Sequence, residues 1–241
     1  MKRRDWAQLD IREAIVTDQA QTKEPQYELL FRVKQEHGIS RFGLMANESW
    51  NKDPRRTLFT LARYKFVSKM FEGRKRVLEV GCADAFGTRL VQQTVGHVTA
   101  TDFDPLFIED ARERMDKHWP MDTIVHDLLA GPVPGSFDAV YALDVLEHIE
   151  PAVERPFLQN AIASLEPTGV AIFGMPSLES QVYASPQSKA GHVNCKTMPD
   201  FKKLMEEYFH SVFMFSMNDE VVHTGYHKMA HYLFAVGAHK K

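Results

Sequence analysis

The chain has 241 residues, 44% hydrophobic and 25% charged, with a formal net charge of −3 and only two cysteines, Cys82 and Cys195. That length and apolar content suit one sizeable core rather than two catalytic domains, and two cysteines exclude a disulfide framework and a four-ligand structural zinc site. No apolar run approaches a membrane span. The opening Met1-Lys2-Arg3-Arg4 is followed by Asp5, Gln8 and Asp10 where a secretory signal needs apolar residues, so a reducing cytoplasm is the expected compartment. Charge is spread unevenly: up to Arg76 the chain carries 17 Lys and Arg against 10 Asp and Glu, a net +7, and the remainder carries −10. A basic leader ahead of an acidic body is not the evenly basic surface of a nucleic-acid enzyme. No amphipathic membrane-surface segment stands out either, so neither nucleic acid nor membrane is expected as a partner.

Up to about Trp50 no strong period is present, although Glu24 to Lys34, with Leu29, Leu30, Phe31 and Val33, can form a helix before Gly38 and Gly43. Residues 1–52 are read as an N-terminal helical extension able to cover an acceptor site, and 53–241 as the main domain. Asp53-Pro54 is a helix start, an N-cap acid followed by proline in the first turn, and Gly73 is the matching stop. Within it Leu58, Ala62, Phe66 and Met70 form an apolar stripe expected to face the core.

The segment from Arg76 to Thr88 organises the rest of the chain. Val77, Leu78 and Val80 suit a strand buried on both faces, Glu79 sits within it, and Gly81 allows a sharp turn or a close ligand. Gly87 to Thr94 reads as a helix and Val98 to Thr101 as a second strand closed by Asp102. An acid there, about 20 residues beyond the glycine, can accept hydrogen bonds from both hydroxyls of a ribose. Phe103 either packs on a ligand ring or serves as a core phenylalanine. Asp104-Pro105 starts the next helix, through Ile108, Ala111 and Met115. A short strand, Thr123 to Val125, leads to Asp127, which also fits a turn because Gly131, Pro132, Pro134 and Gly135 come after it. Ser136 to Ala142 is a fourth strand, Glu154 to Leu165 a helix and Gly169 to Gly174 a fifth strand. A polar loop, Pro176 to Gly191, is long enough to cover a site and ends at His192 and Asn194. Phe201 to Tyr208 is a helix, and Val212 to Phe215 with Tyr232 to Val236 are closing strands. Between them His223, Tyr226 and His227 either touch an acceptor or simply lie on the surface.

Glu79-Val80-Gly81-Cys82-Ala83-Asp84-Ala85, together with Val145-Leu146-Glu147-His148-Ile149 after the fourth strand, resembles the class I S-adenosylmethionine-dependent methyltransferases, small-molecule type. The likeness extends over about Arg74 to Ser177. Gly81 holds the first glycine position of the family loop, and Ala83 and Ala85 stand at the second and third. Alanine lets a ligand approach but takes positive φ only at a cost, so a tight rather than strained loop is expected.

The resemblance implies an α/β fold: a doubly wound, seven-stranded, mostly parallel sheet whose last strand runs antiparallel. It also implies that Glu79, Gly81, Cys82 and Ala83 form the cofactor loop and that Asp102 meets the ribose. Phe103 would lie on the adenine, Asp127 would take its amino group, and the Leu128 backbone would meet a ring nitrogen. Leu143 would offer a backbone group to the methionine portion, and Arg63 would grip its carboxylate, since a guanidinium binds a carboxylate bidentately and keeps its charge. A surface arginine paired with a nearby acid is the alternative for Arg63; Arg55 and Arg56 are weaker candidates. Asp144 would lie close to the reaction. His148 would be either the base that takes the acceptor's proton or a structural histidine.

The implied reaction is methyl transfer from S-adenosyl-L-methionine to an oxygen or nitrogen of a small polar metabolite, with S-adenosyl-L-homocysteine as product and no metal required. A sugar or nucleotide-linked acceptor, anionic and drawn by the basic leader, is the narrower form. A nicotinamide oxidoreductase is the second reading, but Phe86 puts a bulky ring where the third small residue of that fingerprint belongs. A non-catalytic adenosine-ligand-binding protein of the same fold is the third.

Overall fold

The structure, a computed structural model, describes residues 22–241; the readings on Met1 to Asp10 lie outside them. The described residues divide into two units, with the boundary between Ser40 and Arg41. In the first, a 3-10 turn at Pro25–Tyr27 leads into α1 (Glu28–His37), which therefore starts later than Glu24.

In the second unit α2 (Leu44–Lys52) precedes α3 (Pro54–Met70), whose N-cap Asp53 accepts a hydrogen bond from the Arg55 N–H. The sheet then builds from β1 (Arg76–Val80), β2 (His97–Asp102), β3 (Asp122–Val125), β4 (Phe137–Leu143) and β5 (Leu165–Pro176). Its order is β3-β2-β1-β4-β5-β8-β6-β7, where β6 is Phe209–Asn218, β7 Val221–His223 and β8 Tyr232–Lys240. The first five strands pair in parallel, and β8 lies antiparallel between β5 and β6. The doubly wound expectation holds, with eight strands in place of seven. The added strand is the short hairpin arm β7, where Val221 and Val222 come after a turn at Asp219 and pair with β6.

Helices cover both faces of the sheet, as a parallel sheet requires. On one face α6 (Glu154–Ala163) and α7 (Met198–Met205) bury Phe157, Leu158, Ile162, Phe201 and Met205 against β4, β5 and β8. On the other, α3 and α4 (Thr88–Gln92) supply Tyr64, Val67, Phe71 and Val91, and α5 (Pro105–Arg114) adds Ile108 and Ala111.

The apolar stripe expected on α3 needs correction at its ends; in its middle Ala62 and Phe66 pack against the core, the Phe66 ring 4.6 Å from that of Phe234. Leu58 and Met70 are 51% and 41% exposed, and the buried side chains are Thr57, Tyr64, Val67 and Ser68. Polar pairing sets the helix rotation: Ser68 Oγ meets Thr94 Oγ1 at 3.1 Å, and the Tyr64 hydroxyl reaches into the sheet. Small polar residues can face inward when their hydroxyls are satisfied there.

Candidate cofactor and acceptor site

The strand order reverses at β1, whose neighbours β2 and β4 are reached by connections leaving in opposite directions, and in such sheets ligands settle outside the carboxyl ends at that point. β1 ends on Gly81, at φ 70, and a Cβ there would lie 2.4 Å from Cγ2 of Val145, just past β4. The two strand ends therefore touch through a residue that can only be glycine. The N–H groups of Gly81 and Cys82 both donate to the Thr101 carbonyl, at 2.8 and 2.9 Å. Asp102 then braces the loop: its Oδ2 accepts from Ala83 N–H at 2.9 Å and its Oδ1 from Asp104 N–H at 3.0 Å.

The loop is strained, contrary to the sequence expectation. Ala83 and Ala85 take φ of 45° and 53°, in the left-handed region, at roughly 1–2 kcal/mol each. That twist aims the Ala83 N–H at Asp102 and the Ala85 N–H at the Cys82 carbonyl. Helix α2 rests on this loop. Asp84 Oδ2 accepts from Ala46 N–H at 2.8 Å and Asp110 Oδ2 from Leu44 N–H at 3.2 Å, so two carboxylates serve free donors of the α2 first turn. Phe42 joins Trp50 to Phe86 with centroids 5.3 and 5.1 Å away.

Glu79 is held within the protein, its carboxylate accepting from the Tyr64 hydroxyl at 2.8 Å and the Thr88 hydroxyl at 2.6 Å, which ties β1 to α3 and α4. Burial pushes its pKa from 4.5 up to about 7. An acid whose folded pKa is raised binds more protons when folded, so its contribution to stability falls as pH rises from about 4.5 through 7. The full span is about 3 kcal/mol. Urea denaturation at pH 5 and pH 8 is expected to show a smaller loss of stability for Glu79→Gln than for the parent; parallel behaviour would remove the assignment.

Past β4 the backbone turns at Asp144, φ 58, whose N–H donates to the Gly174 carbonyl at 3.0 Å. One terminal nitrogen of Arg63 donates to both Asp144 oxygens, at 2.8 and 2.6 Å, and the guanidinium lies 4.0 Å from the Tyr232 ring centroid. Arg63 Nε is buried without a partner.

A second cluster lies directly beyond. Glu147, His148 and His192 each bring one donor atom within 4.8 Å of the others. Glu147 is 1% exposed, and burial, then the charge of Asp144, push its carboxyl well above the usual range. His148 Nδ1 lies 2.8 Å from the Gly191 carbonyl, and the Asn194 N–H donates to the Glu147 carbonyl at 3.0 Å. Those two bonds draw the segment after β5 across the end of β4 and deliver His192.

Residues 77–169 match the model of a family described as a methyltransferase domain. A ubiquinone biosynthesis O-methyltransferase of Xanthomonas euvesicatoria pv. vesicatoria is 31% identical over 142 residues, 56% of this chain and 58% of the relative. A mitochondrial enzyme of the same name from Schizosaccharomyces pombe is 29% identical over 147 residues, 54% and 52% of the two chains. The chain spans about half the length of these curated relatives. The fold is shared with the N-methyltransferase NodS of Bradyrhizobium japonicum WM9, solved with S-adenosyl-L-homocysteine, at TM-score 0.57 and 21% identity over 79% of this chain and 90% of that one. It is shared also with the methyltransferase domain of bacterial CtHen1, at TM-score 0.63 and 16% identity over 75% and 98%.

Residues 77–169 form a methyltransferase domain.

Within this methyltransferase domain Gly81, Cys82, Ala83 and Asp102 stand together, and Leu143 and Asp144 lie across the switch point from them. Phe103 is 74% exposed, which removes the core alternative and leaves its ring face open beside Asp102. Asp127 accepts from the Leu129 N–H at 2.8 Å in the turn considered for it, and Leu128 is buried in the main core with its carbonyl held by Asn160. Arg55 and Arg56 are ion-paired with Asp53 and Glu48. His223 bridges its own hairpin, Nε2 to Asn218 Oδ1 and Nδ1 to the Gly225 N–H, while Tyr226 is exposed beside His227.

The grouping of Glu147 with His192 is not legible in the sequence. Glu147 stands in the Val-Leu-Glu-His-Ile stretch and His192 at the end of the covering loop beyond β5, and only the fold joins them.

No helix among the described residues is long and apolar enough to cross a membrane.

Proposed function

We propose that this domain transfers a methyl group from S-adenosyl-L-methionine to an oxygen of a small hydroxylated molecule. The observation that carries the reading is the braced loop at the β1/β4 switch: Gly81 against Val145, and the Asp102 carboxylate fixed by two backbone N–H groups beside an exposed Phe103. These residues fit an adenosine ligand. The glycine lets Val145 pack close against the loop at the crevice floor, an oriented carboxylate can accept from ribose hydroxyls, and an aromatic face is free for a base.

When bound, S-adenosyl-L-methionine supplies a methyl group already activated on a sulfonium. The chain's own task is to orient the acceptor and exclude water, effects that can lower a barrier by about 7–11 kcal/mol. Arg63, with an unpartnered Nε, is the cation available for the methionine carboxylate. His148 is half exposed, and its Nδ1–H is committed to the Gly191 carbonyl, which leaves the Nε2 lone pair to receive a proton from an acceptor hydroxyl.

The names of the curated relatives support an oxygen acceptor over a nitrogen. A sugar or nucleotide-linked acceptor, drawn by the basic leader, is the narrower form of the proposal; the pairing of Arg55 and Arg56 with acids weakens its anionic part. The α2 segment resting on the loop supports a covering role for that helix, the last part of the 1–52 extension.

Calorimetry tests the cofactor half. S-adenosyl-L-homocysteine is expected to bind and NAD not to, and Asp102→Ala should weaken binding by about 1–3 kcal/mol. Unchanged affinity in a folded Asp102→Ala variant would remove that role. Incubation of metabolite pools with isotopically labelled cofactor, then mass spectrometry, tests the transfer; absence of any labelled product at full cofactor binding favours the non-catalytic reading.

A further inference from the structure

Helix α2 begins on a residue that cannot cap it. Gly43 offers no side chain to the free N–H groups of the first turn, and a Cβ there would lie under 3.0 Å from both Asp84 Cβ and Arg114 Nη2. The caps come instead from elsewhere in the fold. Asp84 Oδ2 accepts from the Ala46 N–H at 2.8 Å and Asp110 Oδ2 from the Leu44 N–H at 3.2 Å. Arg114 joins the two acids: its Nη2 donates to Asp110 Oδ2 at 2.8 Å and also to the Asp84 carbonyl. Phe42 adds an apolar hold, its ring set between Trp50 of α2 and Phe86 of the loop after β1.

Asp84 is also the residue between the two left-handed alanines, Ala83 and Ala85. Its Oδ1 accepts from the Phe86 N–H at 3.1 Å, so one side chain, 5% exposed, closes the loop on itself and fastens it to α2. Left-handed alanines persist only where surrounding contacts hold them. Here those contacts are the Asp84 carboxylate within the loop, α2 packed on it, and Arg114 on the Asp84 carbonyl. The consequence reaches the crevice, because the turn at Ala83 presents its N–H to Asp102 Oδ2 at 2.9 Å. α2, Asp84, the two strained turns and the Asp102 carboxylate form one connected series.

We propose that Asp84 is a positioning residue of the cofactor site, and that its capping of α2 couples the docking of residues 42–52 to the binding of the adenosine ligand. With α2 docked, the loop keeps its left-handed turns and Asp102 stays oriented. With α2 released, Asp84 loses the Ala46 donor and turns to water, the turns relax, and Asp102 loses the Ala83 N–H that fixes it. A ligand that meets the oriented carboxylate binds the docked state better, and by linkage it favours docking by the same factor. This coupling rests on the adenosine-binding reading of the loop. It makes α2 a working part of that site rather than a cover over an acceptor alone.

The test uses the full chain with S-adenosyl-L-homocysteine and 5′-methylthioadenosine as probes. Hydrogen exchange over residues 44–52, read by mass spectrometry, should slow about tenfold when S-adenosyl-L-homocysteine is bound, within the range of coupled sites. Gly43→Ala wedges α2 away from Asp84: the Arg114 end can shift, but Asp84 Cβ is fixed to the backbone, and the extended conformation at 43 suits alanine. The variant should speed exchange over α2 and weaken both nucleosides about tenfold, by equal factors because Asp102 serves the part they share. Asp84→Asn keeps one acceptor oxygen and should fall between the parent and Asp84→Ala in affinity. Should the Asp84 variants fail to fold, Gly43→Ala and the exchange of the parent decide the matter. A parent that binds S-adenosyl-L-homocysteine with no change in exchange over 44–52, or a Gly43→Ala variant that binds as the parent does, overturns the coupling and leaves the cofactor reading standing. A parent that binds neither nucleoside overturns both.

Discussion

Gly81→Ala is expected to lose about 2–5 kcal/mol of stability and most of the affinity for S-adenosyl-L-homocysteine. Two costs combine there. The backbone sits at φ 70, where a Cβ costs roughly 1–2 kcal/mol. The added carbon would also lie 2.4 Å from Cγ2 of Val145, and a β-branched neighbour is stiff, so overpacking adds typically about 1–3 kcal/mol. The two are separable. Gly73, at φ 84 with nothing within 4 Å of its missing Cβ, carries only the backbone cost, so Gly73→Ala should be the milder change. Val145→Ala added to Gly81→Ala should restore the steric part alone. Urea denaturation and calorimetry on the four proteins check this. If Gly81→Ala matches the parent in both, the contact between the ends of β1 and β4 does not shape the crevice.

That contact also marks where the sequence is legible. Gly81 stands out because an apolar strand that stops at a glycine, with an acid closing another strand about 20 residues later, has few other uses. Asp53-Pro54 and Asp104-Pro105 are legible for a local reason: an N-cap acid and a first-turn proline act on the adjacent backbone, and both helices begin there. What the sequence hides is non-local. The inward face of α3 is set by hydroxyls that find partners on β1 and just past α4, which no hydrophobic period can show. The left-handed turns at Ala83, Ala85 and Asp144 are imposed by what their N–H groups must reach, against the preference of the residues themselves. The strand β5 begins at Leu165 rather than at Gly169 because pairing with Phe137, across a register shift, recruits residues that carry no strand pattern of their own. Within the site, the partner of Arg63 can be named from sequence only as some nearby acid, since Asp144 lies 81 residues further along the chain.

That pair supports the second large effect, and its size depends on which partner is removed. The side chain of Arg63 is 15% exposed and that of Asp144 35%. In Asp144→Asn the guanidinium stays charged, stacked on Tyr232 and stripped of its counter-ion, with Nε already unpartnered. Breaking a fully buried pair from one side costs about 3–5 kcal/mol, and the partial exposure here reduces the expectation to about 1–3 kcal/mol. In Arg63→Met the apolar chain still covers Tyr232, and Asp144, the more exposed partner, can turn to water, so the loss should be smaller. Asparagine also tolerates the left-handed backbone at 144, which isolates the charge as the cause.

Ligand binding should show the opposite ranking. If Arg63 exchanges Asp144 for the carboxylate of the methionine portion, Arg63→Met should weaken S-adenosyl-L-homocysteine about tenfold or more while leaving 5′-methylthioadenosine, which lacks the amino-acid group, unchanged. Asp144→Asn should then tighten S-adenosyl-L-homocysteine, because the ligand no longer competes with a protein carboxylate for the same guanidinium. Equal losses for both nucleosides in Arg63→Met would mean that the arginine only shapes the crevice through Tyr232. In that case the ion pair is structural, and the methionine carboxylate finds its cation elsewhere.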